Sequence, residues 1–402
     1  MSVENLNFDR VIERKNTDCV KYDSAAAHGM PEGILPMWVA DMDFMVSQRI
    51  LDAVEERVKH GIFGYTESGE GYFKAVAGWM EKRHGWKVEP EWLVKTPGVV
   101  FALATAVKAY SETGEAVLIQ EPVYYPFRKV IEQNKRRVIS NDLVLGEDGR
   151  YHMDIEDLEK KIAENDIRLF LLCSPHNPVS RVWTAEELIQ LGDICRKHHV
   201  IVVSDEIHAD FVFGDRKHYV FANLKKEFEE ISVVCTSPSK TFNIAGLQVS
   251  NIFIVNGELR SRFISRINAS GCSGPNVLGL TACEAAYRHG GEWYEAMMKY
   301  ISGNIEFMRE YIRTELPGLK MTETEGTYLV WADFREFGLS EKELEELIVN
   351  KAHLWLDGGA MFGRAGAGFE RFNVACSRSV LKQALEQLKE AVDKRFPVCG
   401  RT

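Results

Sequence analysis

The chain has 402 residues, 45% hydrophobic, 27% charged and 10% aromatic, with 49 basic against 59 acidic side chains and a net charge of −10. That length exceeds a single core and predicts at least two domains, with enough apolar surface to fold without disulfide or metal staples. The acidic balance, with no long basic run, makes nucleic acid and anionic membranes poor partners.

The first 50 residues begin with the polar stretch MSVENLNFDRVIERKN, which lacks the apolar core of a signal peptide. Next, Thr96-Pro97-Gly98-Val99-Val100 precedes an apolar helix-like run, FALATAVKAY. Apolar runs at 116–120, 167–173, 200–204, 231–235 and 251–255 then read as strands covered on both faces. Between them, 154–164 and 184–199 have helical spacing, the second opened by a capping box from Thr184 to Glu187. This alternation predicts an α/β domain over 51–284 with a mostly parallel sheet flanked by helices. Beyond residue 285, helices at 291–314, 340–352 and 379–395 dominate, with short strands near 327–332 and 371–374. Residues 1–50 and 285–402 are therefore expected to build a smaller α+β domain, with the active site in the cleft between the two.

Eight cysteines (19, 173, 195, 235, 272, 283, 376 and 399) show no C-x-x-C spacing, so neither a metal site nor a redox motif is expected. Cys173 and Cys235 lie in apolar runs and are expected to be buried thiols. No apolar stretch approaches the ~20 residues needed to span a bilayer, and the cytoplasm is the expected location.

Three predicted strands end in polar residues. LFLLC leads into Ser174-Pro175-His176-Asn177-Pro178, VIVVS into Asp205-Glu206-Ile207-His208, and ISVVC into Thr236-Ser237-Pro238-Ser239-Lys240. Ligands of open α/β sheets bind beyond the carboxyl ends of the strands, so an amide, a carboxylate and an amine are expected in one crevice. A pyridine-ring cofactor uses such a trio: lysine for its aldehyde, an anion to keep its ring nitrogen protonated, and a donor for its phenolate oxygen. The helix start at Gly98, Val99 and Val100 offers free N–H groups to a phosphate. Ser237 adds a hydroxyl, and Tyr124, in EPVYYPF, is placed to stack on the ring.

SPSKTFNIAGLQ resembles the lysine segment of the fold-type I pyridoxal 5′-phosphate (PLP) enzymes, the aspartate aminotransferase superfamily. SPHNPVSRVW and VIVVSDEIHADF resemble its asparagine and aspartate segments, and RFNVACSR its carboxylate-binding arginine segment. The resemblance runs from KYDS and LPMWVADMDF to RFNVACSR, nearly the whole chain. WVADMDF, DEIH, SKTFNIAGLQ and GGAMFGRAGAGFERFN are most similar to the MalY/PatB-type carbon–sulfur β-lyases, which resemble cystathionine β-lyases.

The resemblance implies a seven-stranded large-domain sheet, with Lys240 as Schiff-base lysine and proton shuttle. It also implies Asp205 on the ring nitrogen, Asn177 on the ring oxygen and Tyr124 stacked on the ring. Gly98, Val99, Val100 and Ser237 would hold the phosphate, and Arg371, with Asn177, the substrate carboxylate. Tyr65, in GIFGYTESGEGY, resembles a tyrosine that reaches the phosphate of a neighbouring subunit, which implies a homodimer with shared sites. Gln248 stands where many aminotransferases have arginine, and His208 where they have tyrosine; both match the β-lyase subgroup and leave the role of His208 open.

DEIH also imitates the DExH box of nucleic-acid motors, but the chain has no G-x-x-x-x-G-K-[ST] loop. The resulting expectation is a PLP-dependent lyase cleaving L-cystathionine or another cysteine S-conjugate. The alternatives are an aminotransferase sharing the same residues and, as a minor reading, a regulator that binds a transcription activator. Trp38, Trp355 and Phe362 are candidates for the side-chain pocket.

Overall fold

A computed structural model describes residues 6–397. Seven strands form the main sheet: β1 (Leu93–Thr96), β2 (Ala116–Ile119), β3 (Arg137–Ser140), β4 (Leu169–Cys173), β5 (Ile201–Asp205), β6 (Ser232–Thr236) and β7 (Ser250–Phe253). Their order is β1-β7-β6-β5-β4-β2-β3. Strands β2 to β6 are parallel, and β7 runs antiparallel to both its neighbours.

Alternation along the central strands divides their side chains between two cores. Val117, Ile119, Leu169, Leu171, Val203 and Val233 pack with helices Val99–Tyr110, Pro126–Gln133 and Gly257–Ala269. Leu118, Phe170, Leu172 and Val202 pack with helices Ile155–Glu164 and Ala185–Lys197 on the other face. Burial of each such side chain is worth roughly 1.5–3 kcal/mol, which is why the runs are apolar at consecutive positions. The capping box forms as expected: Thr184 accepts from the Glu187 amide, and the Glu187 carboxylate accepts from the Thr184 amide.

A second, antiparallel sheet contains β8 (Lys320–Met321), β9 (Leu329–Asp333), β10 (Asp357–Gly358) and β11 (Phe369–Asn373), in the order β8-β9-β11-β10. Its core is shared with helices Gly291–Glu315 and Arg378–Arg395. Leu35–Pro36 pairs with Leu354–Trp355, which joins the early segment to this later part of the chain.

Three features depart from the sequence reading. The two edge strands, β1 and β3, were not expected. LVKT and RVIS carry Lys95 and the exposed Arg137, so neither shows the apolar run of a strand covered on both faces. The helix expected over 340–352 is α-helical only at Glu341–Glu345, behind a Ser340–Glu343 capping box, and continues as a π-helical stretch, Glu346–Lys351. Among the described residues, no helix is long and apolar enough to cross a membrane. Cys173 and Cys235 are buried free thiols, as expected, and Cys399 lies outside the described residues.

From β2 the chain moves outward to β3 and then returns past β2 to β4, so the strand order reverses between β2 and β4. The crevice beyond the carboxyl ends of those strands is where a ligand fits this type of sheet.

Candidate active site

The loops after β2 and β4 meet at that reversal, where the Tyr124 amide donates to the Asn177 carbonyl at 2.9 Å. Asp205 ends β5, and the residues after it form turns rather than a helix, so it does not act as a helix cap. Lys240 lies in the short helix Pro238–Thr241 that follows β6. Its neighbour Thr241 donates to Asp210 Oδ2 at 2.6 Å, and Asp210 also accepts from Trp79 Nε1 at 3.1 Å and pairs with His84 Nε2 at 3.1 Å. This buried carboxylate anchors the lysine segment from behind.

The Lys240 amine donates to the carbonyl of Ala40, which also accepts from the Tyr328 hydroxyl at 2.9 Å. Burial brings the amine's pKa down to about 8; the charge of Arg371 acts in the same direction, while Asp41 and Asp205 oppose it. Asp205 is 5% exposed and, among the described residues, its carboxylate accepts only from the Ile207 amide, at 3.2 Å. Burial pushes its pKa up to about 7, with the Ile207 amide and Lys240 opposing and Glu206 assisting. A carboxylate in this position lacks a close cationic partner, and a protonated ring nitrogen supplies one.

His208 is buried, its Nδ1 has no hydrogen-bond partner among the described residues, and its ring meets Tyr328 edge-on at 5.8 Å. Burial, reinforced by Lys240 and Arg371, holds its pKa well below the usual histidine range, so the imidazole is neutral at pH 7. An unpartnered ring nitrogen beside this crevice fits a site that a further group completes.

Arg371, on β11, is 2% exposed. It donates to Asn177 Oδ1 at 2.9 Å and to the Trp38 carbonyl at 2.9 Å, and it pairs with Asp357. Its guanidinium lies 4.9 Å from the Phe362 ring centroid. Asn177 Oδ1 is thus an acceptor for Arg371, and its amide N–H groups remain as donors. Trp38, whose carbonyl Arg371 holds, stacks on Trp355 at 4.1 Å.

The remaining expected residues are placed less uniformly. Helix Val99–Tyr110 starts after Gly98 with no side-chain cap, so its first amides have no such partner. Val99 is buried and Val100 40% exposed. Ser237 is already engaged, donating to the Val249 carbonyl at 2.7 Å and accepting from the Ser239 amide at 3.1 Å. Tyr65 is fully exposed and does not join this constellation within one chain.

Sequence reasoning missed the segment 38–43 as a structural hub. Asn373 Nδ2 donates to the carbonyls of Val39 and Asp41, each at 2.6 Å. Asn243 exchanges hydrogen bonds with Met42 and donates to the Phe44 carbonyl. Arg14 and the buried Lys21 pair with Asp43 at 2.7 and 2.9 Å. In sequence WVADMDF marked a family resemblance, and its two aspartates inside an apolar stretch were the physical sign of a structural role.

The profile of the family described as aminotransferase class I and II matches residues 34–388. The chain belongs to that family. It is 45% identical over 387 residues to cystathionine beta-lyase PatB of Bacillus subtilis, covering 96% of this chain and 100% of that protein. Protein MalY of Escherichia coli is 33% identical, over 96% and 99% of the two chains. The crystal structure of cystalysin from Treponema denticola, which contains a pyridoxal 5′-phosphate cofactor, superposes with a TM-score of 0.94 at 36% identity, covering 97% of this chain and 99% of that one. The expected resemblance to MalY/PatB-type enzymes and the mostly parallel seven-stranded fold both hold.

Proposed function

We propose that this protein is a PLP-dependent carbon–sulfur β-lyase that converts L-cystathionine or another cysteine S-conjugate to a thiol, pyruvate and ammonia. The observation that carries it is the convergence of the Lys240 amine, the cation-seeking Asp205 carboxylate and the Asn177 amide at one strand-order reversal, in a chain 45% identical to a cystathionine beta-lyase along its length.

PLP, when bound, supplies an electron sink for negative charge developing at the substrate Cα. Lys240 would hold the coenzyme aldehyde through its Nζ. As a free amine it would take the Cα proton, and a pKa near 8 leaves a useful neutral fraction at physiological pH. Asp205 would keep the proton on the ring nitrogen. Asn177, its Oδ1 occupied by Arg371, would offer its N–H groups to the ring oxygen. Neutral His208 offers Nδ1 at the same crevice. Tyr124 would cover the ring, and the amides of Gly98, Val99 and Val100 would hold the phosphate, with Ser237 able to join them only by giving up its bond to the Val249 carbonyl.

Arg371 takes the substrate carboxylate, which orients the Cα–H bond toward Lys240. Elimination breaks the Cβ–S bond, the thiolate leaves with a proton, and water releases pyruvate and ammonia from the remaining three-carbon fragment. The likeness to PatB and MalY, together with Gln248 and His208, favours elimination over amino transfer.

The same reading includes a homodimer with shared sites. Ile62, Phe63 and Tyr65 are 66%, 57% and fully exposed in one stretch, an apolar surface suited to a second copy. Incubation of the coenzyme-loaded protein with L-cystathionine, without a keto acid, tests the reaction. Equal amounts of pyruvate and homocysteine are expected; turnover only after a keto acid is added would assign amino transfer instead.

A further inference from the structure

Asp357 and Arg371 are direct partners in the antiparallel register of β10 and β11, which places their side chains on the same face of the sheet. Both are buried, at 4% and 2% exposure, and their charges pair. Arg371 NH2 serves both Asp357 and the Trp38 carbonyl, while NH1 donates to Asn177 Oδ1. Its Nε is buried without a partner. An incoming carboxylate that binds in the two-pronged manner arginine favours needs adjacent N–H groups. Both NH2 hydrogens are already committed.

The charge balance points the same way. Asp357 neutralises Arg371, and among the described residues no second cation pairs with Asp357. The other titratable groups facing Asp357 are Glu370, Tyr124 and Tyr125. A substrate carboxylate therefore meets a guanidinium whose attraction is already spent on an internal anion.

We propose that Asp357 is a positioning residue that acts as an intramolecular competitor for the substrate α-carboxylate on Arg371. It holds the guanidinium in place in the resting site, and the substrate must displace it. The consequence is a deliberately weak carboxylate subsite, which binds a complete amino-acid substrate but little of a bare carboxylate and releases pyruvate readily. This proposal rests on the reading of Arg371 as the carboxylate anchor.

The test uses coenzyme-loaded Asp357→Asn, which keeps the shape and a hydrogen-bond acceptor while removing the charge, and Asp357→Ser as a smaller second variant. The calorimetric Kd of propionate and the KM for L-cystathionine should both fall, by about 5- to 150-fold, the range typical of coupled binding events, and Asp357→Glu should restore them toward the parent values. Unchanged or raised values in the charge-free variants would overturn the proposal. So would the failure of both to yield soluble, coenzyme-loaded protein, which would assign the carboxylate to folding alone. Arg371→Lys separates the two claims: an unchanged KM there removes the anchor itself, whereas a raised KM there with no gain in Asp357→Asn removes only the competition.

Discussion

The Tyr328 hydroxyl and the Lys240 amine donate to one acceptor, the carbonyl of Ala40. The amine is thus held by a main-chain atom, 200 residues away in sequence, that a second donor already polarises. Removing the hydroxyl leaves that carbonyl to Lys240 alone, which favours the charged ammonium and raises its pKa. Because the base works as the neutral amine, freed only once substrate has bound, Tyr328→Phe should move the acid limb of the kcat profile to higher pH, by up to about one unit. A pH–rate comparison of the two proteins checks this, and a shift toward lower pH would contradict it.

Lys240→Ala removes both the covalent anchor and the base. Loss of general-base function alone costs on the order of 10²- to 10⁴-fold, so turnover of L-cystathionine should fall at least that far. Borohydride reduction of the parent protein, followed by peptide mapping, should fix the coenzyme at residue 240, and the variant should carry no label.

Asp205 makes a prediction about pH and stability. Its carboxyl is raised from 3.8 to about 7 by burial, so the folded coenzyme-free protein binds a proton there more tightly than the unfolded chain does. That contribution is fully present below pH ~4 and is lost as pH rises toward 7, a change on the order of 4 kcal/mol. A ring-nitrogen cation relieves the penalty. The rise in Tm on adding coenzyme should therefore grow between pH 5 and 8 in the parent and grow less in Asp205→Asn, measured by calorimetry. The same variant should lose roughly 10²- to 10³-fold in kcat.

The exposed stretch at 62–65 is expected to lie between two copies. Sedimentation should give twice the mass of one chain, and Phe63→Glu should shift the protein toward the monomer. If Tyr65 serves the neighbouring site, that same change should weaken coenzyme retention. A Phe63→Glu monomer that keeps full coenzyme affinity would remove the shared-site reading.

The strand ends were legible in sequence because a polar residue directly after a fully apolar run has few structural reasons to be there. Asn177, Asp205 and Lys240 stood out in this way, and they converge as that logic requires. Other parts of the site left no such trace. The Ala40 carbonyl is main chain and carries no side-chain signature. Tyr328 reaches it across 288 residues. Asp357, followed by two glycines, reads as a turn residue, and only the register of a two-residue strand reveals its pairing with Arg371. Ser237 looked free in sequence, but its hydroxyl is committed to the Val249 carbonyl, a partner brought in by the antiparallel strand that follows. The edge strands escaped for a simpler reason: one side of each has no neighbour, so polarity is tolerated there.

The hub at residues 38–43 has a consequence for biosynthesis. Ala40 is synthesised more than 300 residues ahead of the groups that fasten its neighbours, Arg371 and Asn373. The main sheet can form on the nascent chain, but the pocket around the lysine stays open-sided until β11 arrives. Coenzyme capture in its final geometry therefore waits for β11, and a variant lacking Phe369–Asn373 should yield a chain that cannot retain the vitamin.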